Sequence, residues 1–305
     1  MKLNSSSISF GRHESFPLRF GWLTKGLTAV QNDPKVFESD DATITLGVGK
    51  NMVSAIRYWL QATQMVRLNG ERVLQPTPIG KLVFANNGDP FLEDEGTIWL
   101  LHWLLATNPT KATAIYWFFN HFHKPEFTRE EVASGLRDFV KQNIETKVAT
   151  STLNSDTALL LRMYVRTTGD SRITLEDALN SPLSNLQLQE RKGFKTFRSF
   201  PAERTELPLG IFSFAVGQLY EHVGRRQISI EQFMYSSHEH CAPGAVFRMT
   251  EDNLLGKLEE LCVCFPDTYR IDQTAGLHQL YQFGEFHPRA ALEQYYTEML
   301  GDIAV

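Results

Sequence analysis

The stretch Leu46-Gly47-Val48-Gly49-Lys50-Asn51-Met52-Val53-Ser54-Ala55-Ile56-Arg57 is typical of a turn that leads into a helix. Gly47 lies where a short preceding helix must end with a positive φ, which glycine adopts at little cost. A second helix is predicted from about Gly49 to Gln64, because its inward-facing positions recur at a spacing of three and four residues. Those positions are Met52, Val53, Ile56, Trp59, Leu60 and Thr63. Together the two helices and their turn predict a helix-turn-helix.

Polar and basic side chains occupy the opposite face of the second predicted helix. They are Lys50, Ser54, Arg57 and Gln61, with Asn51 beside them. In a helix-turn-helix the second helix lies in the DNA major groove, where such side chains contact phosphates and base edges. This face is therefore the first candidate DNA-binding surface.

A β-hairpin wing is predicted directly after this helix. Two short runs, Val66–Leu68 and Glu71–Leu74, flank the pair Asn69-Gly70. This pair tolerates the positive φ values of a type I′ turn, so a two-residue hairpin is expected. The sequence thus predicts an N-terminal winged helix-turn-helix.

The winged region is locally basic. From Ala42 to Leu82 it carries five Lys or Arg side chains against one acid, a balance of +4 in a chain of net charge −5. The basic residues are Lys50, Arg57, Arg67, Arg72 and Lys81. A structural alternative stays open, because a charged run can be a solvated face and the β-branched Thr43-Ile44-Thr45 weakens the first helix.

The pattern of predicted elements along the chain indicates a mainly α protein with small β wings, and the length predicts two or three domains. The expected division is 1–107 for the winged helix-turn-helix, 108–205 for a helical middle domain and 206–305 for a C-terminal helical or winged-helix-like domain. A first helix is predicted from Pro17 to about Val30 with Phe20 facing the core, and Phe247–Met249 is predicted to be a strand. Since the whole chain is mildly acidic, any contact with nucleic acid must be local.

The sequence predicts a cytoplasmic protein without a membrane segment. The polar start lacks the apolar run of a secretory signal, and the most apolar stretch, Ile98–Ala106, is too short to span a bilayer. Three cysteines fit a reducing compartment. No nucleotide cofactor is expected, because Gly47–Asn51 lacks the first glycine and the Ser/Thr of a phosphate-binding loop.

Two groups of polar side chains are candidates for chemistry. His13 and Glu14 lie beside Arg12 and Arg19, and could ligate a divalent ion or transfer protons next to a phosphate. The same side chains could instead form an ion-paired entry to a helix. A salt-bridged entry needs no chemistry, and the sequence favours it.

The acidic loop Asn86–Thr97 is the second candidate. Its carboxylates, including those of Glu93 and Asp94, could hold Mg²⁺ or Mn²⁺ for phosphodiester chemistry. They also suit the N-terminus of a helix that begins near Thr97, where acids offset the helix dipole. We expect the capping role, with metal binding as the alternative.

A further basic stretch runs from Arg191 to Arg198. Four cations with two interleaved aromatic residues could follow a phosphate backbone. They are Arg191, Lys192, Lys195 and Arg198. A solvated hairpin explains the same pattern, and both interpretations stay open.

Several motifs carry a resemblance to a known family. They are Phe10–Pro17, Gly47–Val53, Ile56-Arg57-Tyr58-Trp59, Thr77-Pro78-Ile79-Gly80 and Glu93–Trp103. With them the chain resembles the bacterial defence-associated family of the SspB-type DNA-nicking component of the DNA phosphorothioation system. The resemblance covers nearly the whole chain and is weakest between about residues 140 and 205.

The resemblance implies a protein that binds double-stranded DNA and nicks one strand, so that sulfur can replace a phosphate oxygen. It also implies a cysteine desulfurase, an ATPase and an ATP-pyrophosphatase-like sulfur-transfer protein as partners. A metal-dependent endonuclease would use Mg²⁺ or Mn²⁺, with His13, Glu14, Glu93 and Asp94 as the candidate catalytic residues. The alternative is a non-catalytic DNA-binding adaptor or transcriptional regulator, because no recognised nuclease motif is present.

Overall fold

The structure is a computed structural model that describes residues 2–85, 88–166, 181–274 and 277–303. The first two residues of the predicted acidic loop, Asn86 and Asn87, therefore lie outside the described residues. The chain divides into two compact units. One comprises Met1–Leu3, Phe118–His123 and Phe200–Val305, and the other comprises Asn4–Trp117 and Lys124–Ser199. The predicted mainly α architecture with small antiparallel sheets is confirmed, whereas the division into three domains stays a prediction.

Three helices and a hairpin open the larger unit. They are α1 (Trp22–Asn32), α2 (Ala42–Leu46), α3 (Lys50–Ala62), β1 (Val66–Leu68) and β2 (Leu74–Pro76), followed by α4 (Pro78–Val83) and α5 (Glu95–Ala106). Gly47 ends α2 with φ 61°, as predicted. The apolar face of α3 is buried through Val53, Ile56 and Trp59, so the opposite face is left for polar side chains.

The first helix begins later than predicted. Gly21 has φ 76°, a left-handed conformation that precedes the first turn, and α1 starts at Trp22 rather than at Pro17. Phe20 is consequently 42% exposed, and the prediction that it faces the core was wrong. Trp22 occupies a buried position instead.

The β1–β2 hairpin has a different turn from the predicted one. Leu68 pairs with Leu74, so the connection has five residues rather than two. The positive φ of 61° falls on Arg72. The Asn69 side-chain oxygen accepts the N–H groups of Glu71 (3.0 Å) and Val73 (2.9 Å). The type I′ prediction was wrong because the Asn69 carboxamide fixes a longer loop.

The apolar stretch Ile98–Ala106 is a core helix. It forms most of α5, and every one of its side chains is buried. Within the described residues, no helix is both long and apolar enough to cross a membrane.

The middle of the chain forms a helical segment with a three-stranded sheet. Its elements are α6 (Thr113–His121), β3 (Glu126–Thr128), α7 (Arg129–Asn143), α8 (Thr150–Tyr164), β4 (Glu190–Arg191) and β5 (Thr196–Arg198). The antiparallel strands lie in the order β3-β5-β4. Thr128 ends β3 and caps α7 in a capping box with Glu131.

The smaller unit repeats this local arrangement. Its elements are α9 (Leu209–Val223), β6 (Gln227–Ser229), α10 (Ile230–Met234), α11 (Pro243–Val246), α12 (Glu251–Cys264), β7 (Tyr269–Thr274), β8 (Leu277–Gln282) and α13 (Pro288–Ile303). The strand order β6-β8-β7 matches that of the other three-stranded sheet. Ser229 ends β6 and forms a capping box with Gln232, so strand, cap and helix follow each other as they do at Thr128.

The predicted strand at Phe247–Met249 was wrong. Arg248 has φ 53° and is buried, and its Nη2 donates to the carbonyls of Phe118 and Phe122 at 2.9 Å. Its guanidinium lies 5.5 Å from the ring centroids of Phe118 and Phe119. Burial, with a contribution from Arg204, lowers the pKa of Arg248 to about 10. The backbone turns at Arg248 so that its side chain is buried among aromatic rings, and this segment does not form a strand. Its strand-like pairing is limited to a bridge between Met249 and Ala202.

The smaller unit contains a stacked histidine pair that makes its stability dependent on pH. The rings of His121 and His238 lie 5.3 Å apart. Burial, then His238 and His123, lowers the pKa of His121 from 6.5 to about 4. Below pH 6.5 the unfolded chain therefore binds a proton that the folded chain does not, and the free energy of unfolding falls as the pH falls.

We expect His121→Gln to reduce this loss by about 1–2 kcal/mol between roughly pH 7.5 and pH 4.5. Urea denaturation at the two pH values measures the difference. His287→Gln, which replaces an exposed histidine of the same unit, is the control and should retain the wild-type dependence. Equal losses in wild type and His121→Gln would contradict the assignment.

Candidate nucleic-acid interface

A groove of about 580 Å³ lies along the polar face of α3. It is bounded by the N-terminal segment, by α3 and by the loop before α6, all within the larger unit. Its lining comprises Ser7, Ile8, Ser9, Arg12, Glu14, Phe37, Val53, Ser54, Arg57, Tyr58, Gln61, Thr110 and Lys111. The charged lining residues are three cations and one carboxylate, so the groove has a net positive charge and favours an anionic ligand.

The structure places the predicted α3 residues on one surface but at different depths. Ser54, Arg57 and Gln61 line the groove, whereas Lys50 and Asn51 are exposed at the start of the helix. Arg57 Nη2 lies 3.6 Å from a carboxylate oxygen of Glu38, an exposed and therefore weak ion pair. Arg57 is thereby held at the groove without being neutralised by a buried acid.

His13 anchors the N-terminal wall of the groove. Its side chain is 2% exposed, and its Nδ1 accepts the N–H of Ser15 at 3.0 Å. Its Nε2 therefore carries the proton and donates to the Asp156 carboxylate at 2.9 Å. The same carboxylate oxygen accepts the N–H of Gly11 at 2.9 Å. Both ring nitrogens are engaged, and the segment that carries Arg12 and Glu14 is fixed to α8.

Tyr58 connects α3 to the opposite wall. Its hydroxyl donates to the Lys111 carbonyl at 2.8 Å, and its ring meets that of His13 edge-on at 6.1 Å. Burial, followed by the charge of Asp156, raises the pKa of Tyr58 above its ordinary value. Tyr58 therefore stays protonated and acts as a donor that positions the loop of Lys111.

Sequence reasoning missed Tyr58, Lys111 and Asp156. A signal for Asp156 was available, because it lies three residues after Leu153 and four before Leu160, on the buried stripe of α8. A carboxylate at such a position must have a polar partner. The sequence does not say which partner, since His13 is 143 residues away.

The structure shows a capping role at the acidic loop. Asp94 is the N-cap of α5 and accepts the N–H of Thr97 at 2.9 Å. Buried Asp89 accepts the N–H groups of Glu93 (2.9 Å) and Asp94 (3.0 Å) and so orders the loop. The exposed Glu93 side chain and Asp94 are not among the described residues that line the α3 groove.

The four candidate catalytic residues therefore do not form one cluster. Glu14 alone lines the groove, His13 is buried at its wall, and Glu93 and Asp94 are on the loop before α5. In the part of the chain that the structure describes, no three His, Cys, Asp or Glu side chains are grouped as metal ligands. This donor set does not fit a dedicated Mg²⁺ or Mn²⁺ site.

The remaining predicted cations are exposed on two hairpins and a helix. Arg67 is on β1, Arg72 is in the turn and Lys81 is on α4. On the β4–β5 hairpin, Lys192 pairs with Glu126 and Arg198 pairs with Glu190. In the same hairpin Arg191 lies over the Phe197 ring at 5.4 Å, and Lys195 is exposed at the tip.

The chain is similar to solved and classified proteins over nearly its whole length. The model of a family described as a protein of unknown function (DUF4007) matches residues 10–296. A magnesium ion-bound crystal structure of SspB superposes with a TM-score of 0.84 and 28% identity, covering 97% of this chain and 89% of that chain. Another SspB crystal structure gives a TM-score of 0.82 and 29% identity over the same shares. No curated protein matches the chain.

Proposed function

The chain belongs to the DUF4007 family, and we propose that it is a component of a bacterial DNA phosphorothioation system. In this role it binds DNA and nicks one strand. The observation that carries this proposal is the α3 groove, where Ser54, Arg57 and Gln61 meet Arg12 and Lys111. The SspB-like fold over 97% of the chain supports the link to phosphorothioation that the sequence motifs implied.

In this proposal α1, α2, α3 and the β1–β2 hairpin act as a winged helix-turn-helix. Their order along the chain is that of such a unit, and α3 follows the turn at Gly47. Lys50 and Asn51 would meet base edges from the first turn of α3, while Arg57 holds a phosphate at the groove. Arg67, Arg72 and Lys81 would add backbone contacts beside it.

The proposed nicking activity centres on Glu14. This exposed carboxylate shares the groove with Arg12 and Arg57, so a phosphate held by the two guanidinium groups would lie near a group that can accept a proton. The magnesium ion-bound SspB structure makes Mg²⁺ the first ion to supply in an assay, and Mn²⁺ is the alternative. The described side chains do not form a dedicated site for these ions.

The proposed partners follow from the resemblance. A protein that nicks DNA for sulfur insertion must work beside enzymes that supply and install sulfur. We therefore propose the cysteine desulfurase, the ATPase and the ATP-pyrophosphatase-like sulfur-transfer protein as partners in the cytoplasm.

Removal of two α3 cations is expected to weaken DNA binding with a characteristic dependence on salt. Lys50→Gln/Arg57→Gln should bind duplex DNA about 10- to 100-fold more weakly. The negative slope of log K against log salt should become shallower by about two, because two phosphate contacts are lost. Titrations at several salt concentrations measure both quantities. Lys25→Gln/Lys35→Gln removes two exposed cations outside the groove lining and should change neither as much. An unchanged slope in the α3 variant would favour a protein-binding role.

Nicking is tested on the same proteins. Supercoiled plasmid is incubated with Mg²⁺, Mn²⁺ or a chelator, and its conversion to open circle is followed for wild type, Glu14→Gln and Lys50→Gln/Arg57→Gln. Loss of nicking with retained binding in Glu14→Gln supports the proposal. If wild type binds DNA but leaves the plasmid intact, the non-catalytic adaptor or regulator is favoured, in line with the separation of the four candidate catalytic residues.

A further inference from the structure

The tip of the β4–β5 hairpin presents a single aromatic ring to solvent. The N–H groups of Lys192 and Gly193 donate to the Thr196 carbonyl at 3.0 and 3.3 Å, so the hairpin closes just before its tip. Phe194 lies at that tip and is 89% exposed. Burying a phenyl ring stabilises a folded protein strongly. Because the Phe194 ring is exposed, it does not stabilise this fold by burial.

The same hairpin buries its other ring. Phe197 is buried and stacks on Phe127 of the neighbouring strand, with centroids 6.2 Å apart and ring planes at 19°. Phe197 thus attaches the hairpin to the body of the unit. The exposure of Phe194 is a property of the tip and not of a loosely packed hairpin.

Two lysines lie close to Phe194 in the sequence. Lys192 and Lys195 lie two positions before and one position after Phe194, and both are exposed. The ion pairs with acids are made at the base of the hairpin, where Arg198 meets Glu190 and Lys192 reaches Glu126. A ring flanked by lysines suits a polyanion that also offers flat apolar surfaces, and nucleic acid has both features.

We propose that Phe194 stacks on a base of DNA while Lys195, which follows it at the tip, contacts a flanking phosphate. This inference rests on the proposed function and extends it with a second contact on the β4–β5 hairpin. Base stacking on an aromatic side chain tolerates any sequence, since every base has a π-face. The base could be unpaired or could belong to a base step that the ring opens.

The test measures the affinity of Phe194 variants for single-stranded and duplex oligonucleotides that carry 2-aminopurine. Phe194→Ala should weaken binding about 5- to 100-fold and abolish the change in 2-aminopurine fluorescence, with an unchanged salt slope. Phe194→Trp should keep both signals, while Phe194→Leu should behave as the alanine variant. Phe91→Ala removes a ring that is 65% exposed next to acids and is the matched control.

The two oligonucleotide arms identify the source of the base. A loss confined to single strands assigns Phe194 to unpaired bases, and a loss on duplex assigns it to an opened base step. Wild-type affinity of Phe194→Ala for both, or full rescue by Phe194→Leu, overturns stacking. Binding to anionic vesicles that depends on Phe194, with DNA affinity unchanged, also overturns it in favour of a membrane surface. If wild type binds no DNA, the proposed function fails as well.

Discussion

His13→Ala is expected to lower the free energy of unfolding by about 2–4 kcal/mol. The wild-type ring is buried, accepts the N–H of Ser15 and donates to Asp156. Its removal leaves the Ser15 N–H without this acceptor and leaves the buried Asp156 carboxylate with one donor fewer. The cavity left by the ring adds to this cost.

Urea denaturation of the two proteins measures the loss. Glu14→Gln is the control, because this neighbouring side chain is exposed and should change the free energy of unfolding by no more than about 0.5 kcal/mol. If His13→Ala is as stable as wild type but no longer nicks plasmid, His13 belongs to the chemistry and the anchoring role is wrong. A destabilised variant that nicks DNA below its melting temperature assigns His13 to structure alone.

Gly80→Ala is expected to destabilise the protein by a similar amount, about 2–4 kcal/mol. A Cβ on Gly80 would lie 2.1 Å from the backbone oxygen of Met65 and 2.9 Å from its carbonyl carbon. In the wild-type protein, Thr77 fixes the position of Gly80 beside Met65. Its N–H donates to the Met65 carbonyl at 3.0 Å, and its hydroxyl accepts the N–H of Gly80 at 2.9 Å. The helix that carries Lys81 would have to move away from Met65.

Gly70→Ala provides the comparison in the same region. Among the described residues, nothing lies within 4 Å of a Cβ at Gly70, and its φ is not positive. We expect it to be neutral or slightly stabilising, since alanine restricts the unfolded chain more than glycine does. Thermal unfolding of both variants measures the difference. Equal melting temperatures would show that α4 shifts without cost.

The features that the sequence predicted correctly depend on neighbours within one or two helical turns. The buried stripe of α3, the left-handed Gly47 and the cap at Asp94 are all of this kind. Each needs only the residue types a few positions away, so periodicity and capping rules suffice. The position of Lys50 and Arg57 on the polar face of α3 follows from the same reasoning.

The wrong predictions at Asn69-Gly70 and Phe247–Met249 occur where a side-chain interaction overrides the local backbone preference. Asn69-Gly70 has the composition of a two-residue turn, yet the Asn69 carboxamide binds two backbone N–H groups and lengthens the loop. Phe247–Met249 has an extended pattern, yet Arg248 is buried against aromatic rings with a positive φ. In both cases hydrogen bonds of one polar side chain decided the backbone conformation.

By itself, the sequence determined the helix α3, the end of α2 at Gly47 and the polar, basic face of α3, because these depend on contacts short in sequence. The tertiary structure alone decided that His13 is an anchor bonded to Asp156, 143 residues away. It also decided that Arg12, Arg57 and Lys111 share one groove. Pairings at such separations are selected by the packing of whole elements, and the residue types within any single segment do not specify them.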